Sequence, residues 1–548
     1  MADPLRPGGA SPWPVPTLPA TAPSGHPFAG AARDVLERDV LVPYLQRQRW
    51  FGGKAREARA ASVVDWAALG PGPAAPTLAI VRVRYAGGPD DLYQIATAVI
   101  AGPRAGHVLA DRPETVLARL PQDDLSLLCD AVMDDEACRA IFEATRRDGR
   151  FASHNRGAIV ARPMSAEPPD PDGTLGVVRF ASTHSNSAVA LGGRFLLKIF
   201  RRLEVGLNPD IEIGRFLAAH GQSVRVPALV GSIEHLGPGD ETTALAMTQR
   251  LVHSRSNGWD HALQDVTAFF DRAARSQDRP TPSTAAALAG DFPAAAHRLG
   301  RRTAELHRAL GSSQSDPDFT PTTASPTEVR ALADRLRVAS GEAFAVLDRL
   351  RPGFDAEADR LAARVLALRP ALDARVSACA DGIAPFVKIR VHGDYHLGQV
   401  LSLEHDFVIL DFEGEPTRPL SERRARQSPL RDVSGMLRSF SYAAHAALAA
   451  EGRGDDRRGR LAAWADAWID AVSATFLEGY FEAARGAPFV PADRGQVQAL
   501  LELFLLDKAV YELDYEMNSR PDWVHIPLRG LLALGSAPPA PLTGVEWS

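Results

Sequence analysis

The sequence predicts an α+β protein of two lobes, the first rich in strands and the second mainly helical. Three observations predict it. Up to about residue 252, short apolar runs alternate with turns bearing Gly, Pro or Asn. Beyond that point apolar residues recur at helical spacing. The chain has 548 residues, 45% hydrophobic and 23% charged, an ordinary globular composition with length for about two to four domains.

Residues 1–30 are rich in Pro, Ala and Gly, with little to bury, and read as a disordered tail. A helix over Ala32–Leu45 leads into Gln48-Arg49-Trp50-Phe51-Gly52-Gly53, where Trp50 and Phe51 read as a buried aromatic pair. Strands Leu78–Tyr85 and Leu92–Ile100 follow, so 31–105 is a small β-rich subdomain at the front. The next subdomain, 106–255, opens with a stretch (107–148) that reads as helical, and Glu167–Gly173 is a loop. Then come strand Val177–Phe180, the polar turn 183–187, strand Ala188–Leu191, the two-residue turn Gly192-Gly193 and strand Phe195–Phe200. Asn208-Pro209 supplies an N-cap and first residue for a helix carrying Glu212. Leu229–Glu234 and Leu245–Val252 extend the sheet. From 256 to 548 the chain is helical, with Pro/Ser/Thr-rich loops at Arg275–Ala286 and Ser312–Pro326. Helices cover Pro293–Leu310, Pro326–Ser340 and Ala356–Leu368, one opens at Ser428-Pro429, and a long one spans Val497–Asn518.

A net charge of −6 argues against nucleic acid or an anionic membrane as the main partner. Three cysteines without a Cys-x-x-Cys pair imply neither a disulfide scaffold nor a zinc site, and suit a reducing cytoplasm. The N-terminus lacks the pattern of a signal peptide, and no run is long and apolar enough to span a bilayer.

The chemistry concentrates in two stretches. Val391-His392-Gly393-Asp394-Tyr395-His396-Leu397-Gly398-Gln399 places a carboxamide five residues after Asp394. Val408-Ile409-Leu410-Asp411-Phe412-Glu413 ends an apolar run on a carboxylate. Kinases space an orienting Asp, an amide metal ligand and a metal-binding Asp in this way. A transferring phosphoryl group is ringed by anionic oxygens, so it needs divalent cations and an acceptor for the attacking hydroxyl's proton. Asp394 would orient that hydroxyl, while Asp411 and Gln399 would offer Mg²⁺ the hard oxygens it prefers. Two other readings stay open. The aspartates could be cap or turn residues, or His392, Asp394 and His396 could bind zinc in a metallohydrolase, which leaves Asp411 without a role.

The strand–turn–strand–turn–strand–helix order from 177 onward is that of a kinase small lobe. Ser185, Asn186 and Ser187 would cover nucleotide phosphates, Lys198 would contact them, and Glu212 would hold Lys198 in an ion pair. Gln249 and Val252, closing the last strand, would meet the base of ATP. Downstream, Arg431, Arg438 and Tyr442 form a polar stripe on one helix; Lys508, Tyr511, Glu512 and Tyr515 form another at i, i+3, i+4 and i+7, with Glu516 and Asn518 beside them. Flat aromatic surfaces beside carboxylates and amides suit a sugar. His396, Glu413, Glu415 and Arg418 complete the candidate substrate set.

These residues resemble those of the bacterial maltokinases, relatives of aminoglycoside and choline kinases. The likeness rests on 392–401, Asp411-Phe412-Glu413-Gly414-Glu415-Pro416 and Ser428-Pro429-Leu430-Arg431-Asp432-Val433. It extends to Asp507-Lys508-Ala509-Val510-Tyr511-Glu512, Asn518-Ser519-Arg520-Pro521-Asp522-Trp523 and the Gln48–Gly53 stretch, and covers roughly 35–535. The resemblance implies a bilobal, protein-kinase-like fold with an N-terminal cap, an intermediate subdomain and a helical C-lobe. It implies ATP- and Mg²⁺-dependent phosphorylation of maltose at the anomeric hydroxyl, for α-glucan synthesis, with a trehalose synthase-type enzyme as a possible neighbour. Alternatives are another sugar, an aminoglycoside, or a nucleotide-binding module without turnover.

Overall fold

A computed structural model of the chain describes residues 14–20, 26–72, 74–121, 125–164, 175–180, 186–221, 224–451 and 455–536. They divide into two compact units: residues up to 215 with 227–252, and 216–226 with 253 onward.

The first unit is built on two antiparallel sheets. One contains β1 (Ala58–Ala68), β2 (Thr77–Tyr85), β3 (Asp91–Ala101), β4 (Val116–Leu120) and β5 (Ser126–Asp130), in the order β1-β2-β3-β5-β4. The other contains β6 (Gly149–Ala152), β7 (Ala158–Pro163), β8 (Val177–Arg179), β9 (Asn186–Leu191) and β10 (Phe195–Phe200). Strand β11 (Arg202–Leu203) returns to pair with β3, and β12 (Leu229–Leu236) and β13 (Thr242–Arg250) complete the second sheet as β6-β7-β12-β13-β10-β9-β8.

Strand periodicity explains how β2 serves two cores. Its Leu78 and Ile80 join a cluster with helix Asp135–Thr145 and the second sheet. Its Ala79, Val81 and Val83 face the 30–47 helical segment through Leu36, Leu41 and Tyr44. Each fully buried Leu, Ile or Phe contributes roughly 1.5–3 kcal/mol. Trp50 and Phe51 are both buried, as expected. The Gly192-Gly193 turn has φ of +56° and +62°, the doubly left-handed backbone that a two-residue hairpin requires and side chains resist.

Three readings are corrected. The 107–148 stretch is not continuously helical: β4 and β5 lie within it, because short apolar runs such as Leu127-Leu128 do not separate strand from helix by spacing alone. Within the expected tail, Thr17 bridges Arg119 beside β4, and Leu18 and Phe28 are buried, side chains that the Pro-rich average conceals. The loop at Arg275–Ala286 contains the start of helix Pro282–Leu288, capped by Thr281 and Thr284. The Glu167–Gly173 loop lies outside the described residues.

The second unit is mainly helical. Its principal helices are Gly258–Ala273, Phe292–Leu310, Pro326–Leu350, Ala356–Asp381, Leu430–Ala450, Asp455–Ala484 and Arg494–Ser519. The fourth of these runs through Pro370, past the expected end at Leu368. A small sheet joins Ser256–Asn257, Val400–Ser402 and Phe407–Ile409, which sets the loops around Asp394 and Asp411 side by side. No helix among the described residues is long and apolar enough to cross a membrane.

Candidate active site

In the second unit, the segment at 391–399 is held mainly by one buried carboxylate. Asp432, in the first turn of helix Leu430–Ala450, accepts the backbone N–H groups of His392 (2.7 Å) and Gly393 (2.9 Å) and the Nε2–H of His307 (3.0 Å). Burial opposes its charge, but the His307 hydrogen bond and those backbone donors hold the carboxyl below the usual range. The helix also comes close at Gly435, where a Cβ would stand 2.5 Å from the Tyr395 carbonyl oxygen. Sequence reasoning named Asp432 only within the Ser428–Val433 stretch and gave it no role. His307 lies 125 positions away and gave no signal.

His392 joins the two motif stretches. Its Nε2–H donates to the Leu410 carbonyl at 2.8 Å, which leaves Nδ1 to accept the Asp394 N–H at 3.4 Å. A zinc role for His392 is thereby removed, since both ring nitrogens are occupied. The next residue, Asp411, has φ +61°, a left-handed conformation that Asp tolerates better than most and that recurs at functional sites. Gln399 Nε2 donates to Asp411 Oδ2 at 3.1 Å. Carboxylate oxygens of Asp411 and Glu413 lie within 4.8 Å of each other. The amide oxygen of Gln399 and these carboxylates form an all-oxygen donor set, which fits Mg²⁺. The structure thus joins Gln399 to Asp411, and His392 ties the backbone of Asp394 to the carbonyl of Leu410 next to Asp411.

Lys508 anchors the acceptor side of Asp394. Its Nζ lies 2.9 Å from Glu415 Oε1 and 3.4 Å from Asp394 Oδ1. Burial alone would lower the Lys508 pKa, but Asp394 and Glu415 together raise it, so the ammonium stays charged. Glu415 is 2% exposed and is also met by Arg418 and by Arg431 at 3.2 Å. Burial works against its charge, yet Lys508, Arg431 and Arg418 hold its carboxyl down to about 2. His396 Nε2 is 3.9 Å from Asp394 Oδ2, and desolvation lowers its imidazole pKa. Lys508 Nζ also sits 4.7 Å over the Tyr511 ring, which stacks on Tyr515 at 6.4 Å and 19°. Tyr515 is 40% exposed and offers an open aromatic face.

The rest of the predicted substrate set is corrected. Arg438 Nε and Nη2 donate to Glu512 Oε2 at 2.9 and 2.6 Å, and Tyr442 donates to Glu516 at 3.1 Å. All four side chains are buried, so the two helices direct these polar stripes at each other. Asn518 turns back to Asp514 on its own helix. Two interleaved polar stripes, one for the reaction and one for helix pairing, look alike in sequence.

In the first unit, Lys198 Nζ pairs with Asp210 Oδ2 at 2.9 Å. Asp210 gave no signal in the sequence; Glu212, expected beside Lys198, is buried two positions further along the same first turn. Asn186 and Ser187 belong to β9 and are buried, and the Ser187 hydroxyl accepts from Arg201 Nε at 2.9 Å. They are strand residues rather than an open phosphate turn, and Ser185 lies outside the described residues. Gln249 sits in β13 opposite Leu196, while Val252 follows the strand's end at Arg250.

Comparison with known proteins identifies the family. Residues 176–464 match the phosphotransferase enzyme family, and 44–134 match the maltokinase N-terminal cap domain. A glucosamine kinase of Streptacidiphilus jiangxiensis is 30% identical over 345 residues, 63% of this chain and 70% of the relative. A glucosamine kinase of Mycolicibacterium smegmatis is 27% identical over 358 residues, 64% of this chain and 77% of the relative. Among solved structures, a glucosamine kinase in complex with glucosamine, ADP and inorganic phosphate superposes with a TM-score of 0.56. It is 21% identical and covers 89% of this chain and 96% of its own, a likeness of fold.

Proposed function

The chain belongs to the phosphotransferase enzyme family and is a kinase with a hydroxyl acceptor, and from that premise we propose that it is a sugar kinase transferring the terminal phosphoryl group of ATP to maltose. The product is maltose 1-phosphate, formed at the anomeric hydroxyl and suited to α-glucan synthesis, with a trehalose synthase-type enzyme as the natural source of the acceptor. The observation that carries a neutral acceptor is Lys508, an ammonium fixed between Asp394 and Glu415. Around that point Lys508 is shared by Asp394 and Glu415, and Glu415 also meets Arg418 and Arg431, while Arg418 reaches on to Glu422 and Asp507. A protonated amine entering beside Asp394 would meet the like charge of Lys508. An uncharged hydroxyl donates to Asp394 with no such cost. The Tyr511–Tyr515 face supplies the flat surface on which a second sugar ring lies.

In this mechanism Asp394 accepts a hydrogen bond from the attacking hydroxyl and aims its oxygen at the phosphorus. Lys508 fixes the rotamer of Asp394, and Glu415 fixes Lys508. Asp411 and Gln399, with Glu413 beside them, would hold Mg²⁺, which when bound neutralises charge on the nucleotide phosphates. Lys198, held by Asp210, is the cation proposed to meet phosphate from the first unit. Such ATP-linked chemistry belongs in the cytoplasm.

Glucosamine is the second reading, favoured by the names of the relatives above. Measuring ADP release with maltose, glucose, glucosamine and kanamycin decides between them. Maltose is expected to give the highest kcat/KM, at least tenfold above glucosamine. Faster turnover of glucosamine would replace the first reading by the second.

A further inference from the structure

The helices of the second unit line a half-open cavity of about 430 Å³, within the ~300–1,000 Å³ that small-ligand sites span. It shares Arg438 with the helix pair described above but none of Asp394, Gln399, Asp411, Lys508 or Tyr511. Leu437, Ile469 and Leu505 supply apolar wall.

Its polar atoms separate it from a packing defect. Arg438, Ser473 and His445 are 5%, 7% and 7% exposed, and all three line the cavity. Arg438 uses Nε and Nη2 on Glu512. Its Nη1 lies over Gly530, a lining residue, where an added Cβ would stand 2.3 Å from that nitrogen. His445 Nδ1 lies 2.8 Å from the Ser441 carbonyl oxygen, and burial lowers the imidazole to about 4. The ring is therefore neutral, Nδ1 carries the proton, and Nε2 presents a lone pair. Among the described residues, Arg438 Nη1, His445 Nε2 and Ser473 Oγ have no hydrogen-bond partner. None of these three atoms is sealed from the cavity space, so each is available to water or to a ligand that replaces it.

Two of the arginines at the cavity are paired, Arg438 with Glu512 and Arg529 with Glu357, while Asp466, Asp470 and Arg364 stand exposed. An ion gains little from paired arginines or from charges screened by water. A cationic donor, a neutral acceptor and a hydroxyl set among leucine and isoleucine walls match a molecule with many hydroxyls and some C–H surface. We propose that this cavity is a second binding site, separate from the acceptor site, for an uncharged polyhydroxylated molecule no larger than a disaccharide. The proposal is independent of which acceptor is phosphorylated.

The test is calorimetric titration of the full chain with sucrose and with myo-inositol, which lack the anomeric hydroxyl and do not act as maltose-like acceptors. Saturable binding of at least one of them, one molecule per chain, is expected. His445→Leu and Ser473→Leu should each weaken it at least tenfold, with kcat and the maltose KM measured without the probe unchanged. Tyr511→Ala should leave probe affinity as in the wild type. Circular dichroism checks that each variant folds, and Ser473→Ala, which removes only the hydroxyl, should still weaken binding severalfold. Absence of saturable binding to the wild type overturns the proposal, leaving water as the occupant. So does binding that survives both leucine variants, or that Tyr511→Ala abolishes.

Discussion

Glu415 and Glu516 are equally sealed carboxylates of the same unit, 2% and 1% exposed, and they titrate in opposite directions. Three cations hold Glu415 down to about 2. Burial raises Glu516, against which Arg520 and the Tyr442 hydroxyl work only in part. The difference separates two regions. Around Asp394, charges form a network whose end members, Asp394, Asp411 and Gln399, remain partly open. Between helices Leu430–Ala450 and Arg494–Ser519, polar groups close on one another: Arg438 on Glu512, Tyr442 on Glu516. Chemistry needs groups that are positioned but still available, and helix pairing needs groups that are satisfied.

The sharpest way to break this comparison is Asp394→Asn. An amide cannot take the acceptor's proton, so kcat should fall by about 10²–10⁴-fold. Nucleotide binding, measured by calorimetry, should stay near normal. A modest loss of rate with weakened nucleotide binding would make Asp394 structural.

Asp432→Ala comes next, because Asp432 contacts no reacting group yet holds the loop that carries Asp394. It strands two backbone N–H groups and His307, and loss of one partner from a buried charge network costs ~3–5 kcal/mol. Urea denaturation should show that loss, together with a lower kcat. Normal stability with normal turnover would show that the loop holds its own shape.

The third prediction concerns pH. A carboxylate whose folded pKa lies below its unfolded value contributes stability that is present above ~4.3 and lost as pH falls toward the folded value. For Glu415 that loss runs from about pH 5 down to about 2 and amounts to ~3 kcal/mol at most. Glu516 has the opposite sign: its raised pKa makes protonation favour the folded state, so stability rises as pH falls through that value. Denaturation midpoints measured from pH 7 to 3 should therefore fall less steeply for Glu415→Gln than for the wild type, and more steeply for Glu516→Gln. Parallel curves for all three would remove the distinction between the regions.

How far the sequence disclosed all this follows the same division. The meeting of Gln399 with Asp411 was legible because phosphoryl transfer calls for those residue types at short spacing after an Asp such as Asp394. The strand at Leu78–Tyr85 and the Gly192-Gly193 turn were legible for local reasons as well. What stayed hidden depends on distant partners. Asp432 with His307 joins residues 125 apart, and Arg438 with Glu512 joins residues 74 apart. Lys198 has two carboxylates within one helical turn near it, and spacing gave no sign of Asp210. β4 and β5 were missed because their short apolar runs find their partners only in the folded sheet.

The finest prediction sets Tyr511→Ala against Glu512→Gln, adjacent residues assigned to different regions. Tyr511 carries Lys508 over its ring and stacks on the exposed Tyr515, so its removal takes away surface used equally by bound substrate and transition state. Loss of such uniform binding raises the maltose KM, here about tenfold, with kcat and the ATP KM little changed. Glu512 faces Arg438 inside the helix pair, so Glu512→Gln should lower the urea midpoint and leave the maltose KM within about twofold. Steady-state kinetics and denaturation of the two variants, side by side, read both effects. A raised KM in Glu512→Gln with unchanged stability would move Glu512 back into the acceptor site. An unchanged KM in Tyr511→Ala would take the aromatic face out of it.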